Sequence, residues 1–201
     1  MSAARESLLD AACASLARRP WPVVRMVDVA ALAGVSRQTL YNEFGSKDGL
    51  ARSLVRRETD AYLAGFERAL TEGGLPAAAD WTVTRAGENP LLRAVLTGYR
   101  AEGLPAPTLA AVPSTSRVPA QRRADGPLPS PAEVVALIRD RAVGALAPAA
   151  ATAADRAALA WQCEVALRLA LSCLLAPAGE RGAAGLVRDV VGVRASSPRS
   201  S

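Results

Sequence analysis

The sequence has no histidine and no cysteine pair at metal-binding spacing. Without histidine, a Ser-His-Asp triad, a Cys-His pair and the common histidine-containing zinc sites are excluded. The three cysteines, Cys13, Cys163 and Cys173, form no CxxC motif, and their odd number indicates a reducing compartment without a disulfide framework. No GxGxxG, Walker A or GxSxG pattern occurs either. We therefore predict a protein that is not an enzyme and that uses no metal and no cofactor.

Lysine is nearly absent, because one lysine stands against 23 arginines (24 basic residues less one). The 19 acidic residues leave a net charge of +5, which is compatible with a nucleic-acid partner. This excess is spread out, since residues 1–70 carry ten basic and eight acidic side chains. Local placement of charge, rather than bulk charge, must therefore position any nucleic acid.

Signals for export or membrane insertion are also missing. Acidic residues at Glu6 and Asp10, and the lack of a long apolar core, argue against a signal peptide at the N-terminus. The apolar segment at 152–176 carries Glu164 and Arg168 in its middle, which argues against a membrane span. We expect a cytoplasmic protein with no membrane partner, and a chain of this length with 50% apolar residues can bury a core.

The stretch from 26 to 50 has the pattern of two short helices joined by a tight turn, followed by a third helix. Gly34 stands where a helix C-terminus favours a left-handed residue, and Ser36 is a suitable N-cap for a second helix. Leu40 and Phe44 point the inner face of that helix at the first one. Its outer face and N-terminus are left with Arg37, Gln38, Thr39, Tyr41 and Asn42. This pattern predicts a helix-turn-helix whose second helix suits the major groove.

The exposed residue types match the chemistry of base edges. Glutamine and asparagine pair bidentately with adenine, arginine pairs with guanine, and threonine can touch a thymine methyl. Lys47 lies at the start of the third helix, where its charge, the helix dipole and the amide N–H groups can meet one phosphate.

This motif resembles the DNA-binding domain of the TetR/AcrR family of bacterial transcriptional regulators. The resemblance covers roughly residues 5–68 and is carried by Val29-Ala30, Ala33-Gly34-Val35-Ser36, Thr39-Leu40-Tyr41, Phe44, Ser46-Lys47 and Leu50. Where the family usually has a threonine that caps the helix and contacts phosphate, this chain has Arg25, so we expect the contact but not the cap. The predicted DNA-binding residues are Arg25, Ser36, Arg37, Gln38, Thr39, Tyr41, Asn42 and Lys47.

The resemblance implies an all-α protein with an N-terminal three-helix DNA-binding domain and a C-terminal helical domain for ligand binding and dimerisation. It also implies a homodimeric repressor on a palindromic operator, released by a small-molecule effector. We expect the domains to be residues 1–50, linked by a helix at 46–70 to residues 71–195, with a flexible tail at 196–201.

Two further residues, Arg5 and Trp21, lie outside the motif but inside the predicted domain. Arg5, in a first helix expected at 4–19, is interpreted as a solvated surface arginine, with a contact to the DNA backbone as the alternative. Trp21 lies between two prolines, and we expect it to pack in the core.

Beyond Gly73-Gly74 the pattern predicts helices at about 76–86, 90–99, 131–146, 152–176 and 180–193, with a proline-rich connection at 101–129. The helices at 131–146 and 152–176 are apolar over more than one face, which predicts a homodimer through these two helices. Candidate pocket walls are Trp81, Tyr99 and Trp161, which favour an apolar or aromatic effector. The alternatives are a regulator controlled by a protein or by no ligand, and an enzyme or carrier with a non-functional N-terminal domain.

Overall fold

The computed structural model describes residues 2–98, 103–105 and 130–195. Within those ranges the chain forms eight α-helices, two 3-10 turns and no strand, which confirms the all-α prediction. The helices are α1 (Ala3–Leu16), α2 (Met26–Leu32), α3 (Arg37–Phe44), α4 (Lys47–Glu88), α5 (Pro90–Thr97), α6 (Pro131–Leu146), α7 (Ala153–Leu175) and α8 (Gly182–Ala195), and the 3-10 turns are Trp21–Val23 and Gly179–Arg181. The predicted tail at 196–201, Tyr99 and most of the proline-rich connection lie outside the described residues.

The chain divides into two compact units. The N-terminal unit holds the residues up to Glu58 and also takes in the short segment 103–105. The C-terminal unit holds Thr59–Gly98 and the chain from 130 onwards, so that the division falls inside α4.

The core of the N-terminal unit is built from the apolar faces of α1 to α4. Leu8, Leu40, Leu50 and Leu54 are fully buried, as the helical spacing predicts. α1 ends at Leu16, three residues earlier than predicted, because the N–H groups of Arg18 and Arg19 both turn back to the Ser15 carbonyl. The following Pro20 disfavours helical backbone in the residue before it, which explains the early end.

A distant segment completes this unit. The Trp21 amide donates a hydrogen bond of 2.6 Å to the carbonyl oxygen of Gly103. A Cβ on Gly103 would lie 3.0 Å from the Pro20 side chain, and φ at this glycine is +88°. Pro105 beside it is buried. A segment some eighty residues away in sequence therefore packs on the turn between α1 and α2.

Helix α4 is interrupted at Gly74, where φ is 69° and ψ is −165°. This confirms the helix break predicted at Gly73-Gly74. Only glycine adopts this backbone conformation at little cost, and Pro76 then begins the second part of the helix.

The later helices begin at side-chain caps, close to the starts that the sequence predicts. The Asn89 carboxamide oxygen accepts from the amides of Leu91 and Leu92. Ser130 and Thr152 each form a reciprocal capping box, with Glu133 and Asp155 respectively. These local signals fix where α5, α6 and α7 start.

The C-terminal unit has one continuous apolar core, to which α4, α5, α6, α7 and α8 all contribute. The Tyr62 hydroxyl is buried there and lies 2.9 Å from the Thr82 hydroxyl, and burial raises the pKa of the phenol. Asp80 accepts a 2.8 Å hydrogen bond from the Ala184 amide and so satisfies an N-terminal N–H of α8.

Helix α7 is, among the described residues, the one helix long and apolar enough to cross a membrane by length and composition alone. Core helices of soluble proteins pass the same test. One face of α7 packs in the core through Cys163, Ala166, Leu167, Ala170 and Leu174. Its Arg168 pairs with Glu164 at 2.7 Å, four residues apart.

Candidate nucleic-acid interface

The turn between α2 and α3 has the backbone geometry that the sequence predicts. Gly34 has a φ of 68°, and its amide donates to the Ala31 carbonyl oxygen at 3.2 Å. The Val35 amide donates a hydrogen bond of 3.1 Å to the carbonyl oxygen of Ala30. Ser36 then caps α3, because its hydroxyl oxygen accepts from the Thr39 amide at 3.0 Å. The two helices are therefore joined by a short turn whose Gly34 and Val35 amides are both hydrogen-bonded.

The two faces of α3 differ as predicted. Leu40 is fully buried and Phe44 is 6% exposed, so these two side chains fix the helix on the unit. The residues exposed to solvent are Arg37, Gln38, Tyr41 and Asn42, while Thr39 is half-buried. The Gln38 amide nitrogen donates to the Asn42 side-chain oxygen at 2.9 Å, so these two amides are paired on the outer face.

Lys47 begins α4, as predicted, and its ammonium group is already engaged. Its Nζ donates to the carbonyl oxygen of Pro22 at 3.0 Å and lies 5.4 Å from the ring centre of Trp21. Trp21 itself is only 7% exposed, which confirms that it packs in the core. Partial burial lowers the pKa of Lys47, because desolvation disfavours the charged form. The one lysine of the chain is thus held beside the start of α4.

Arg25 precedes α2 and makes no capping hydrogen bond with its side chain, as predicted. It instead forms a two-point pair with Asp28, at 3.1 Å from Nε and 2.9 Å from Nη2. The hydrogen bond from Arg25 lowers the pKa of the Asp28 carboxyl. The arginine side chain is 73% exposed, so the pair lies at the surface beside the motif.

The interpretation of Arg5 as a solvated surface arginine is wrong. Its side chain is 19% exposed, and its guanidinium lies 4.5 Å from the ring centre of Phe44. Nη1 donates to the Glu43 carbonyl oxygen at 3.0 Å and Nη2 donates to the Ser53 hydroxyl at 2.9 Å. Only the three-dimensional approach of α1, α3 and α4 creates this site, so residue spacing gives no signal for it.

The role of Gly49 was not predicted from the sequence. A Cβ at this position would overlap the carbonyl oxygen of Phe44 at the end of α3. Glycine therefore lets the first turn of α4 approach the end of α3 closely. The available signal was a glycine inside a helical turn, where this residue is otherwise destabilising.

The candidate pocket residues lie in different environments. Trp81 packs on the C-terminal core, and its Nε1 is buried without a hydrogen-bond partner. Trp161 is 41% exposed on α7, although aromatic residues at helical spacing usually lie in a core. Tyr99 lies outside the described residues.

Possible metal ligands do not form a cluster in the part of the chain that the structure describes. No group of three or more Cys, Asp or Glu residues is placed there to hold a metal ion. Cys163 and Cys173 are buried, as expected of small core residues, and burial raises the pKa of Cys163 to about 11. Burial also raises the pKa of the half-buried Cys13, with a further contribution from the Glu58 charge.

An exposed polar helix, set by a tight turn on a small helical unit, defines the helix-turn-helix class of nucleic-acid-binding proteins. Residues 8–54 match the family described as bacterial regulatory proteins, tetR family. The matched stretch spans α2, the turn and α3, so the similarity to this family lies in the helix-turn-helix of the chain.

Individual relatives extend the comparison. The chain is 36% identical over 105 residues to the HTH-type transcriptional regulator AlkX of Mycobacterium tuberculosis. The match spans about half of each chain, 47% in both cases. A TetR-like transcriptional regulator from Rhodococcus sp. RHA1 matches in structure with a TM-score of 0.50 and 15% identity, over 98% of each chain. The TetR family repressor AlkX from Dietzia sp. strain DQ12-45-1b gives a TM-score of 0.49 and 20% identity, over 94% of each chain.

Proposed function

We propose that this protein is a homodimeric transcriptional repressor that binds a palindromic operator through α3. The observation that carries the proposal is the exposed outer face of α3, where Arg37, Gln38, Tyr41 and Asn42 stand on a helix anchored by Leu40 and Phe44. An anchored helix with exposed polar side chains fits the major groove, which is about 12 Å wide. The regulator AlkX of Mycobacterium tuberculosis, with its related sequence, supports the same assignment.

Base readout is assigned first to the pair of Gln38 and Asn42. Their mutual hydrogen bond uses one donor of Gln38 and the oxygen of Asn42. The Gln38 oxygen and the Asn42 amide hydrogens can then face a base together, as one acceptor beside donors. Adenine presents the complementary pattern in the major groove, an N6 donor next to the N7 acceptor. We therefore expect an A·T pair opposite this part of α3.

Phosphate contacts are assigned to residues that flank α3. Lys47 has three ammonium donors and uses one of them on the Pro22 carbonyl. Arg25 is well exposed, although its ion pair with Asp28 partly neutralises the positive charge of its guanidinium. Ser36 and Thr39 place hydroxyl groups at the N-terminus of α3, where the helix dipole favours an anion. These contacts would fix the register of α3 without reading sequence.

The C-terminal unit is proposed as the dimerisation domain. Leu137 on α6 is 44% exposed, and Trp161 and Leu175 on α7 are 41% and 72% exposed. Large apolar side chains in solvent on two neighbouring helices need a partner surface. A twofold pair of these helices would form a four-helix interface. Two recognition helices would then meet half-sites about 34 Å apart, one turn of DNA.

An effector is proposed to act through the same unit. The buried Trp81 Nε1 without a partner would give an apolar or aromatic ligand one polar anchor. A ligand that binds better to a dimer with mis-spaced N-terminal units would lower operator affinity by population shift. A DNA-bound regulator of this kind would act in the cytoplasm.

The test is a binding titration on the DNA upstream of the protein's own gene, with scrambled DNA as the control, at two salt concentrations. We expect ~10³-fold discrimination and one dimer per site. Equal, weak binding to both DNAs, followed by a genome-wide selection of bound fragments that yields no site, would refute the proposal. An effector that releases the complex would then be sought among apolar and aromatic compounds.

A further inference from the structure

We propose that Arg5 is a positioning residue for DNA recognition, which sets the orientation of α3 from its C-terminal end. Its guanidinium joins three helices, because it extends from α1 to the Glu43 carbonyl oxygen on α3 and to the Ser53 hydroxyl on α4. The inference rests on the proposed function, since it concerns how α3 is presented to a base sequence. It assigns to Arg5 no contact with DNA.

The hydrogen bond from Arg5 to the Glu43 carbonyl satisfies an acceptor at the C-terminal end of α3. The last carbonyl groups of a helix have no partner within the helix. In α3 the Gly45 amide returns to the Tyr41 carbonyl and the Ser46 amide to the Phe44 carbonyl. Arg5 Nη1 supplies a donor for the Glu43 carbonyl that lies between them, at 3.0 Å. A cation at this end of the helix also interacts favourably with the helix dipole.

The Glu43 side chain is held by the same part of α1. One carboxylate oxygen accepts from the Ser2 hydroxyl at 2.8 Å, and the other lies 3.5 Å from Arg5 Nη1. The acidic group of α3 is thereby turned towards α1 and paired. Without Arg5 the Glu43 carboxylate would keep its hydrogen bond to Ser2 and lose its ion pair.

The orientation of α3 is sensitive to this end because the helix has only two turns. Leu40 and Phe44 are its buried apolar anchors, and they lie four residues apart on one line. Such a line leaves rotation about the helix axis weakly defined. Arg5 covers the Phe44 ring and bonds the adjacent Glu43 carbonyl, so it restrains that rotation. Base contacts depend on this angle, whereas non-specific binding depends mainly on the number of neutralised phosphates.

Arg57 on α4 provides a matched control. Its side chain is 20% exposed, against 19% for Arg5, and it also ties α1 to α4. Its partners are Asp10, at 2.7 Å, and the Leu9 carbonyl oxygen, at 3.3 Å. Its hydrogen bonds and ion pairs fall on α1 and α4, with none to α3 among the described residues. Its removal loosens the N-terminal unit without releasing the end of α3.

The experiment measures affinity for operator DNA and for random-sequence DNA, at several salt concentrations, for the wild type and for Arg5→Met, Arg5→Lys and Arg57→Met. For Arg5→Met we expect operator affinity to fall ~10-fold, the size of one lost base-pair preference, while random-sequence affinity changes less than about 2-fold. Arg5→Lys should behave like Arg5→Met, because an ammonium group cannot span the Glu43 carbonyl and the Ser53 hydroxyl. Arg57→Met should keep the ratio of the two affinities.

Three results would overturn the proposal. If Arg5 bound phosphate directly, both affinities would fall together, the salt slope would drop by about 0.9 per contact, and Arg5→Lys would restore binding. The hydrogen bonds from Arg5 to the Glu43 carbonyl and the Ser53 hydroxyl are here called the Arg5 clamp. Unchanged affinities in Arg5→Met would show that this clamp does not contribute to DNA recognition. An equal loss of discrimination in Arg57→Met would show that general loosening is the cause.

A second measurement needs no DNA and separates this inference from the proposed function. The Gly45 amide bonds the Tyr41 carbonyl at 2.8 Å and therefore reports on the end of α3. Its hydrogen exchange should be ~10-fold faster in Arg5→Met and unchanged in Arg57→Met, if local opening of this end follows the loss of the clamp. Normal exchange in Arg5→Met would refute the restraint, even if the wild type binds an operator. A wild type that binds no operator would refute the proposed function and leave the exchange result to decide on the clamp.

Discussion

Replacing Lys47 by methionine should weaken binding to every DNA sequence and flatten its salt dependence. Methionine keeps an unbranched apolar chain beside Trp21 but removes the ammonium group that Pro22 now holds. One phosphate contact contributes about 0.9 to the slope of log affinity against log salt. A dimer loses two such contacts, so the slope should decrease by about 1.8.

This change of slope gives a measurable ratio. Between 50 and 200 mM salt, log concentration changes by about 0.6, and 0.6 times 1.8 is about 1.1. The ratio of the wild-type DNA-binding constant to that of Lys47→Met should therefore be about 12-fold smaller at 200 mM salt than at 50 mM salt. Fluorescence anisotropy with labelled operator and with random-sequence DNA measures both curves. An unchanged slope with Lys47→Met would refute the phosphate assignment.

A matched control separates local from overall charge. Arg156 is exposed in the first turn of α7, in the C-terminal unit, and Arg156→Gln removes one positive charge per subunit as well. For Arg156→Gln, the slope of log DNA affinity against log salt concentration should equal that of the wild type within error. The stability cost of Lys47→Met is measured by urea unfolding, and we expect about 1 kcal/mol for a charged hydrogen bond that is partly exposed.

The DNA affinity should also depend on pH through Lys47, and Lys47→Arg should reduce this dependence. Burial lowers its pKa below the usual value, so the ammonium loses its proton at a lower pH than an exposed lysine would. The other 23 basic residues are arginines, which stay charged. DNA affinity of the wild type should therefore begin to fall at a lower pH than the loss of charge from an exposed lysine would require. Lys47→Arg should fall less steeply, and an identical decline in both proteins would assign the loss to another group.

Three further substitutions or modifications test separate parts of the structure. Gln38→Ala should relax the preference for A·T at one operator position by about 1–3 kcal/mol, measured on a set of single-base operator variants, with little change on random DNA. Gly65→Ala should destabilise the C-terminal unit by about 1–3 kcal/mol, measured by thermal unfolding, because a Cβ there would overlap the Trp81 ring. Cys163, with a pKa raised by burial to about 11 from 9.0, should be alkylated about 100-fold more slowly at pH 8 than a thiol of ordinary pKa. Rapid alkylation of Cys163 in the native protein would contradict its burial in α7.

Much of the fold follows from short-range signals in the sequence. Ser36, Asn89 and Ser130 each cap a helix within three residues, and such local chemistry is visible without the tertiary structure. The position of the turn at Gly34 follows in the same way. The outer face of α3 was predictable because the helical spacing of its apolar residues separates buried from exposed positions.

The parts that sequence did not predict depend on contacts between distant elements. The place of Arg5 requires α1, α3 and α4 to meet, over separations of 38 and 48 residues. The pairing of Arg25 with Asp28 is only three residues apart, yet it competes with the phosphate contact that the resemblance implies. Trp161 was expected at a pocket wall, and its exposure on α7 depends on which helices cover that face.

The hydrogen bond between Trp21 and Gly103 has a consequence for synthesis of the chain. The two residues are 82 positions apart (103 less 21), so the ribosome adds Gly103 about 4–16 s after Trp21, at about 5–20 residues per second. During that interval α1 to α3 can emerge, while the Trp21 amide still bonds water. The N-terminal unit therefore reaches its final packing only after half of the chain has been translated, and a nascent fragment that ends before Gly103 should be a better protease substrate at Pro20-Trp21 than the finished protein.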